Sequence, residues 1–300
     1  MTSYLSELDF EPARTLNILA SARRLKAERG RDRNDLAGRS VALYFEKPSV
    51  RTRVSFTVGI QELGGRVVEL SSATTKVGRG EDPEDFAAVL GRMVHLLVAR
   101  VFSQEVLGTF ARRAGVPVIN ALSDERHPCQ ALADAQTILE RKGRIEGTVF
   151  AFVGEGNNVA ASTGLLLAAL GAEVRVASPV GFGLPKERLA EARGLAGSVT
   201  QLQDPKEAVD GADAVYTDTW ISMGQEAESE ERVRIFRDFK VSPELMAGAR
   251  EDALVMHCLP AVRGQEIEAE LMYADNSAIW DQAENRLHAQ KALILDLMTG

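Results

Sequence analysis

The stretch Val41-Ala-Leu-Tyr-Phe-Glu-Lys-Pro-Ser-Val-Arg-Thr-Arg-Val-Ser-Phe-Thr-Val-Gly-Ile-Gln-Glu-Leu-Gly-Gly65 decides the fold. It opens with the apolar run Val41–Phe45, passes through the polar turn Ser49–Arg53 and continues as a helical pattern. The helix pattern stops at Gly64-Gly65, and glycine is a common residue just past a helix C-terminus. A strand, a turn and a helix in this order predict one β/α unit of a parallel sheet.

The same rhythm continues along the chain and predicts an α/β protein with parallel sheets. The strands are expected at Val41–Phe45, Arg66–Leu70, Leu96–Val101, Val116–Asn120, Val149–Val153, Glu173–Ala177, Ala214–Thr217 and Ala253–Met256. The helices are expected at Arg51–Leu63, Pro83–Met93, Gln104–Ala114, Pro128–Arg141, Val159–Leu170, Lys186–Ala196 and Gln282–Met298.

Length and composition indicate a two-domain globular protein. With 300 residues the chain has room for about two domains, and we place the boundary near Lys142-Gly143, giving domains 1–141 and 142–281. A formal net charge of -8 argues against a nucleic-acid binder. The apolar runs are too short to span a bilayer, and the N-terminus has no export signal. Two cysteines exclude a disulfide scaffold and favour a reducing cytoplasm.

The turn Ser49-Val-Arg-Thr-Arg53 is the first candidate site. It combines two arginines and two hydroxyls between a strand end and a helix start. Backbone N–H groups, the helix dipole and guanidinium groups then converge on one point, which favours an anion. The alternative is a capped helix with two solvated arginines. That alternative explains Arg51 or Arg53 alone better than it explains the whole group at a strand end.

Two histidine motifs also follow predicted strands. His127-Pro-Cys-Gln130 begins a helix, where an imidazole can donate a hydrogen bond to a carbonyl, although a lone histidine is often structural. In His257-Cys-Leu-Pro260 the thiol of Cys258 could be a nucleophile, a ligand or a buried core residue. The two motifs together fit no standard zinc spacing, so we expect no metal.

Two further motifs follow strands in the second half. Gly154-Glu-Gly-Asn-Asn-Val-Ala160 carries two glycines of a dinucleotide fingerprint but lacks the third and the acidic residue after the next strand. Asn157 and Asn158 could instead hold a carboxylate or an amine. Asp218-Thr-Trp-Ile-Ser-Met-Gly224 offers a carboxylate suited to a cationic group, or else a simple helix cap.

In this order and spacing the motifs resemble those of the transcarbamylase family, and most closely its ornithine-using branch. The resemblance runs from about Asp9 to Leu297 and includes Glu284-Asn-Arg286. It implies two Rossmann-like domains with an active-site cleft between them, and a C-terminal helix, residues 282–300, that packs back on the first domain. It also implies transfer of a carbamoyl group from carbamoyl phosphate to the δ-amine of L-ornithine, giving L-citrulline, in arginine biosynthesis and without a cofactor. The partners implied are these small substrates and further copies of the chain in a homotrimer with shared active sites.

The resemblance also implies roles for individual residues. The donor would be held by Ser49, Val50, Arg51, Thr52, Arg53, Lys76, Arg100, His127, Gln130, Cys258, Leu259 and Arg286. Ornithine would be held by Asn158, Asp218, Ser222 and Met223. The catalytic group would be Arg100 and His127 at the carbamoyl oxygen, with Asp218 and Cys258 near the attacking amine.

Two positions depart from the family pattern. Lys76 stands where ornithine enzymes usually have Gln or His and is closer to aspartate enzymes, and Val262 stands where His is frequent. Asp218 and the Ser222-Met223-Gly224 turn nevertheless favour ornithine over aspartate. Other amine acceptors, such as putrescine or an acylated ornithine, and a non-catalytic binding paralogue remain as alternatives.

Overall fold

A computed structural model describes residues 2–71, 75, 77, 80–221 and 229–299. By its internal contacts the chain divides into two compact units. The first unit comprises Met1–Gln136 with Asn285–Gly300, and the second comprises Thr137–Glu284. The prediction of an α/β protein with two parallel sheets is confirmed, because each unit contains one.

The first unit is built on a four-stranded parallel sheet with the order β2-β1-β3-β4. Its strands are β1 (Ser40–Phe45), β2 (Arg66–Ser71), β3 (Leu96–Arg100) and β4 (Val118–Leu122). Its helices are α1 (Pro12–Ala27), α2 (Val50–Glu62), α3 (Pro83–Leu90), α4 (Gln104–Arg113) and the start of α5 (Pro128–Lys142), with most of the terminal helix α11 (Ile279–Thr299). Strands β1, β3 and β4 are buried almost throughout, which explains why their residues are mostly apolar.

The second unit is built on a five-stranded parallel sheet with the order β7-β6-β5-β8-β9. Its strands are β5 (Val149–Val153), β6 (Glu173–Ala177), β7 (Ser198–Leu202), β8 (Ala214–Thr217) and β9 (Leu254–His257). Its helices include α6 (Asn158–Ala169), α7 (Lys186–Glu191), α8 (Pro205–Val209), α9 (Ser229–Phe236) and α10 (Pro243–Met246), with 3₁₀ turns at Arg237–Phe239 and Ala269–Tyr273.

Both sheets reverse their strand order once, and the reversal positions the candidate sites. In the first sheet the chain passes from β1 to β2 on one side of β1 and then to β3 on the other side, so the reversal lies between β1 and β3. In the second sheet the reversal lies between β5 and β8. Ligands of open α/β sheets bind outside the carboxyl ends of the strands at such reversals. The turn Ser49–Arg53 follows β1, and the turn Gly154–Asn158 follows β5, so both motifs lie at a reversal.

Strand β4 begins later than predicted. The sequence favours Val116–Asn120, whereas the strand is Val118–Leu122. Pro117 has no N–H to give to a ladder. Its carbonyl accepts from Leu97 N at 3.0 Å, and the regular register starts one residue later at Val118.

Several further predictions need correction. Helix α3 ends at Leu90 rather than Met93, helix α7 ends at Glu191 rather than Ala196, and β9 is Leu254–His257 rather than Ala253–Met256. Helix α1, the edge strand β7 and the short helices α8 and α10 were not predicted. In β7 only Val199 and Leu202 are strongly apolar, so the strand lacks the continuous apolar run of its neighbours.

Among the residues that the structure describes, no helix is both long and apolar enough to cross a membrane.

Candidate functional site

The first group of candidate residues forms at the start of helix α2. Ser49 is the N-cap residue of α2, and its Oγ accepts a hydrogen bond from Thr52 N at 3.2 Å. Serine is favoured there because its side chain satisfies a helix N–H that has no intrahelical partner. The remaining N–H groups and the positive end of the helix dipole therefore lie directly beyond the carboxyl end of β1.

Arg100 joins this group from the neighbouring strand. It is the last residue of β3, its side chain is 7% exposed, and its Nη1 donates to Thr52 Oγ1 at 3.4 Å. Its buried Nε has no hydrogen-bond partner among the described residues. A buried guanidinium that does not satisfy its own donors within the unit is suited to a ligand that accepts hydrogen bonds.

Helix α11 contributes a second buried arginine, Arg286. Its Nη1 donates to Gln130 Oε1 at 2.7 Å and its Nη2 to Thr52 Oγ1 at 3.3 Å. Gln130 in turn donates through Nε2 to Asp134 Oδ1 at 2.8 Å. Gln290 lies one turn after Arg286 on α11. With its side-chain oxygen facing Arg286, that oxygen accepts a hydrogen bond from Arg286 Nε at 3.2 Å. We call Thr52, Arg100, Gln130 and Arg286 the arginine cluster.

The electrostatics of the arginine cluster favour an anion. Burial, together with the positive charges of Arg286 and Arg51, lowers the pKa of Arg100 to about 10. Burial, followed by the charges of Arg286 and Arg100, holds the pKa of His127 well below its ordinary value. At neutral pH His127 is therefore an uncharged imidazole beside several guanidinium groups, and a phosphate-like dianion would relieve their mutual repulsion.

Not every residue of the Ser49–Arg53 turn points to the arginine cluster. Val50 is 78% exposed. Arg53 Nε lies 3.6 Å from Glu69 Oε2, and its guanidinium lies over the Phe45 ring at 5.1 Å. Arg51 is exposed yet close enough to lower the pKa of Arg100. Lys76 lies outside the described residues.

The second group of candidate residues lies in the second unit, around Asp218. Asn157 is the N-cap of α6: its Oδ1 accepts from Val159 N and Ala160 N, both at 3.0 Å. Its Nδ2 donates to Asp218 Oδ2 at 2.8 Å. The other carboxylate oxygen, Oδ1, accepts from Cys258 Sγ at 3.0 Å. We call Asn157, Asp218 and Cys258 the Asp218 cluster.

The groups that donate hydrogen bonds to the Asp218 carboxylate are uncharged. Asp218 follows β8 and is 8% exposed, and its named partners are a backbone N–H, an amide and a thiol. None of these partners is a cation, and the part of the chain described by the structure contains no ion pair to Asp218. Asn158, the first residue of α6, is half-buried. Ser222 and Met223 lie outside the described residues.

The motif His257-Cys-Leu-Pro260 has an unusual backbone. Leu259 adopts a φ of 59°, and its bond to Pro260 is cis. A non-glycine residue in the left-handed region costs about 1–3 kcal/mol and persists where the surroundings enforce it. Leu259 N donates to His257 Nδ1 at 2.8 Å, which helps to fix this turn.

Asp218, His257 and Cys258 each offer a ligand atom, and these atoms lie within 4.8 Å of one another. His257 nevertheless cannot bind a metal in this arrangement. Its Nδ1 accepts from Leu259 N, so its Nε2 carries the proton and donates to Glu266 Oε1 at 3.1 Å. A neutral imidazole has one lone pair on nitrogen, and here that lone pair is already used.

The glycines of the turn after β5 have a packing explanation rather than a nucleotide one. A Cβ on Gly156 would come within 2.3 Å of Leu184 N. Gly154 has a φ of +143°, a conformation that other residues rarely adopt. Gly156 thus allows the loop around Leu184 to approach the turn that carries Asn157, and Gly154 allows the backbone conformation of that turn.

Comparisons with known proteins match nearly the whole chain. Residues 3–140 match the family model "Aspartate/ornithine carbamoyltransferase, carbamoyl-P binding domain", and residues 146–297 match the model "Aspartate/ornithine carbamoyltransferase, Asp/Orn binding domain". The chain belongs to the aspartate/ornithine carbamoyltransferase family.

Individual members of this family are similar over nearly their full length. The chain is 49% identical to a protein of Acidothermus cellulolyticus named ornithine carbamoyltransferase, covering 98% of this chain and 96% of the relative. A protein of the same name from Methanosarcina acetivorans is also 49% identical, with 98% of each chain covered. The solved ornithine carbamoyltransferase of Pyrococcus furiosus superposes with a TM-score of 0.96 at 45% identity, covering 99% of this chain and 97% of that one.

Two side chains that hold the arginine cluster in place were not predicted from the sequence. Asp134 lies four residues after Gln130 on α5, and Gln290 lies four residues after Arg286 on α11. Residues four apart on a helix are neighbours on one face. That spacing was visible in the sequence and could have identified both partners.

Proposed function

We propose that this family member transfers the carbamoyl group of carbamoyl phosphate to the δ-amine of L-ornithine, giving L-citrulline and phosphate in arginine biosynthesis. The observation that carries the proposal is the arginine cluster, a buried set of donors at the strand-order reversal of the unit that matches the carbamoyl-P binding domain. The names of the relatives support ornithine as the acceptor.

The donor fits the arginine cluster chemically. The phosphate of carbamoyl phosphate is a dianionic leaving group, and we assign its binding to the helix start at residues 49–53, to Arg286 and to Lys76. Arg100 and neutral His127 would donate to the carbamoyl oxygen, where negative charge builds up as the amine attacks. Gln130 would hold the carbamoyl amide, with the backbone of Cys258 and Leu259.

The acceptor fits the Asp218 cluster. We assign the ornithine contacts to Asn158, Asp218, Ser222 and Met223, because a carboxylate without a cationic partner attracts an amino group. The δ-amine has a reference pKa near ~10.4 and must lose its proton before it attacks. Positive charge near the reacting centre would favour the neutral amine. The reaction needs no cofactor, since the acyl phosphate is already activated.

We further propose that residues 1–141 with the terminal helix 282–300 bind the donor, and that residues 142–281 bind ornithine. The chain has only two cysteines, Cys129 and Cys258, which is too few for a disulfide framework and supports our assignment to the cytoplasm.

The test is citrulline formation by the purified chain with carbamoyl phosphate and a panel of amines. Ornithine should exceed aspartate, putrescine and N-acetylornithine in kcat/KM by about a hundredfold or more, because a buried polar site rejects ligands that leave it unpaired. Comparable turnover with aspartate would reject the acceptor assignment. Absence of transfer to every amine would indicate a non-catalytic paralogue.

We also propose that the chain forms a homotrimer, or a multiple of one. The exposed faces of α2 and β2 carry Val50, Val54 and Val68, which are 78%, 53% and 39% exposed. Further copies of the chain that cover these side chains would bury apolar surface and the edge of β2. By family resemblance Lys76 then serves the neighbouring subunit's site.

Subunit complementation tests the shared site. Lys76→Ala subunits and Arg100→Ala subunits, each expected to be nearly inactive alone, are mixed and allowed to exchange. Hybrid trimers should regain activity because some interfaces then carry neither defect. If mass spectrometry verifies the hybrids and activity does not return, Lys76 does not act in trans.

A further inference from the structure

The residue before His127 takes part in a buried ion pair that the proposed mechanism does not use. Arg126 Nη1 donates to Glu7 Oε1, and the two residues are 8% and 1% exposed. Removing two opposite charges from water is costly, and such a pair often stabilises a fold no better than apolar residues of similar size. A role in placing neighbouring groups explains its presence better than stability does.

Glu7 reaches Arg126 because the N-terminal segment runs beside strand β4. Tyr4 N donates to Val118 O and Asn120 N donates to Tyr4 O, both at 2.8 Å. Val118 N donates to Ser3 Oγ at 3.0 Å. The segment therefore extends the sheet by one short parallel bridge, Tyr4 with Ile119, and ends at the turn that precedes His127.

Side-chain hydrogen bonds tie this segment to the same turn. Gln104 Nε2 donates to Leu5 O at 3.1 Å, and Asn120 Nδ2 donates to Leu5 O at 2.9 Å. Gln104 Oε1 also accepts from Ser123 Oγ at 2.7 Å. Gln104 thus links Leu5 of the N-terminal segment to Ser123 of the turn, and Asn120 of β4 makes a second hydrogen bond to the same carbonyl.

The turn itself leaves Arg126 little freedom. Ser123 N donates to Arg126 O at 2.9 Å, and Arg126 N donates to Ser123 Oγ at 3.1 Å. Both backbone polar groups of Arg126 and its guanidinium are therefore held. On its other side, His127 O accepts from Gln130 N at 3.0 Å, which fixes the start of α5.

We propose that Glu7 and Arg126 are positioning residues that fix the imidazole of His127, and through it the carbamoyl oxygen of the donor. The inference rests on the proposed function in assigning that oxygen to His127. One peptide bond separates the ion pair from the imidazole-bearing residue, so a shift of Arg126 moves His127 directly. A misplacement of about 1 Å at a reacting centre can cost about a hundredfold in rate.

The test is a double-mutant cycle between Glu7→Gln and His127→Asn. Glu7→Gln keeps the shape of the side chain and removes the charge that holds Arg126. It should lower kcat by about tenfold or more, while KM for ornithine changes by less than about twofold. In the His127→Asn background the same substitution should change kcat by less than about twofold, because the group it positions is gone.

Two further variants separate positioning from a general loss of stability. Glu62→Gln breaks another ion pair of the same unit, between Glu62 Oε2 and Lys291 Nζ at 2.6 Å, and should leave kcat within about twofold of wild type. Glu7→Asp retains the charge on a shorter side chain. It should recover part of the lost kcat, and it provides a folded variant if Glu7→Gln does not fold.

An NMR measurement decides the inference independently of turnover. The chain has four histidines, so the His127 ring resonance can be assigned by its loss in His127→Asn. Glu7→Gln should shift this resonance and leave those of His95 and His257 in place. An unchanged His127 resonance, or an equal loss of kcat in both backgrounds, would overturn the positioning role. If wild type transfers no carbamoyl group, the proposed function fails, whereas the NMR result still tests the placement of His127.

Discussion

Protonating His127 should cost the folded chain free energy, and His127→Asn should remove that cost. The imidazole is 5% exposed, and the positive charges nearest to it belong to Arg286 and Arg100. Burial and both charges lower the pKa of His127 well below 6.5 in the folded state. In the unfolded chain the same imidazole titrates near its ordinary pKa of about 6.5.

The sign and size of the effect follow from proton linkage. Below about pH 6.5 the unfolded state binds a proton at His127 that the folded state does not, so stability falls as pH falls. The limiting slope is about 1.4 kcal/mol per pH unit. Integrated from about pH 7.5 to about pH 5, His127 should cost about 2 kcal/mol of unfolding free energy. Above about pH 7.5 its contribution to the pH dependence should vanish.

The assay is urea unfolding of wild type and His127→Asn at both pH values, followed by circular dichroism. The variant should lose about 2 kcal/mol less than wild type over this interval, whatever its stability at pH 7.5. His95→Asn is the matched control, since His95 is half-buried and accepts from Ser40 N at 3.1 Å at the other end of β1. Parallel losses in wild type and His127→Asn, or an NMR titration of His127 near pH 6.5, would refute the reasoning.

Three further changes test the two clusters. Arg286→Gln removes a guanidinium that donates to Gln130, and losing a buried charged partner costs about 2–5 kcal/mol, so KM for carbamoyl phosphate should rise at least about thirtyfold in initial-rate assays. Cys258→Ser keeps a donor for Asp218, so turnover should persist within about tenfold; a carbamoyl-thioester detected by mass spectrometry on a competent timescale would contradict this mechanism. Asn157→Ala should raise KM for ornithine by releasing Asp218 and lower stability by about 1 kcal/mol through the lost helix cap, as measured by kinetics and thermal unfolding.

The elements that the sequence predicted best are the buried central strands. Val149–Val153, Glu173–Ala177 and Ala214–Thr217 were predicted with the bounds that the structure has. Such strands read as short β-branched and aromatic runs between turn residues, because parallel strands are covered on both faces. Helix α3 was recognised at its start because Asp82-Pro83 supplies both the cap and the first helical residue.

Tertiary contacts decided what the sequence did not. Edge strand β7 has polar residues at Ser198, Thr200 and Gln201, and its place in the sheet depends on pairing with β6. Helix α1 lacks a capping side chain, and its only sequence signal is Pro12 at the first position. The N-terminal segment is held by Val118 and Asn120, which lie more than a hundred residues away in the chain, so local pattern could not place it.

In the candidate site, too, the sequence predicted some residues, whereas other contacts depend on tertiary structure. The sequence identified Thr52 and Asp218 because each lies beyond the carboxyl end of a predicted strand, where parallel strands bring side chains together, whereas Arg100 was expected only from the family resemblance. It did not show that Arg53 pairs with Glu69 on the exposed face. That contact depends on the register of β1 with β2, which fixes Glu69 beside α2.

The two sheets reverse strand order in the same way, yet the residues at the two reversals have opposite charge. At the first reversal β3 ends in Arg100, and at the second β8 is followed by Asp218. The fold provides a helix N-terminus at each place, from α2 and from α6, and so favours anions at both. In the second unit Asn157 offsets this preference, because it uses its own oxygen on two of the α6 N–H groups and turns its amide N–H to Asp218. The hydrogen bonds that Asp218 accepts from Asn157 and Cys258 thus come from uncharged donors, and the proposed function assigns its carboxylate to an amine. On the proposed function, exchanging the acceptor for an anionic one would thus require changing Asn157 and Asp218 together. Changing Asn157 alone removes both the cap of α6 and a donor to Asp218, and changing Asp218 alone leaves the Asn157 amide N–H without its acceptor.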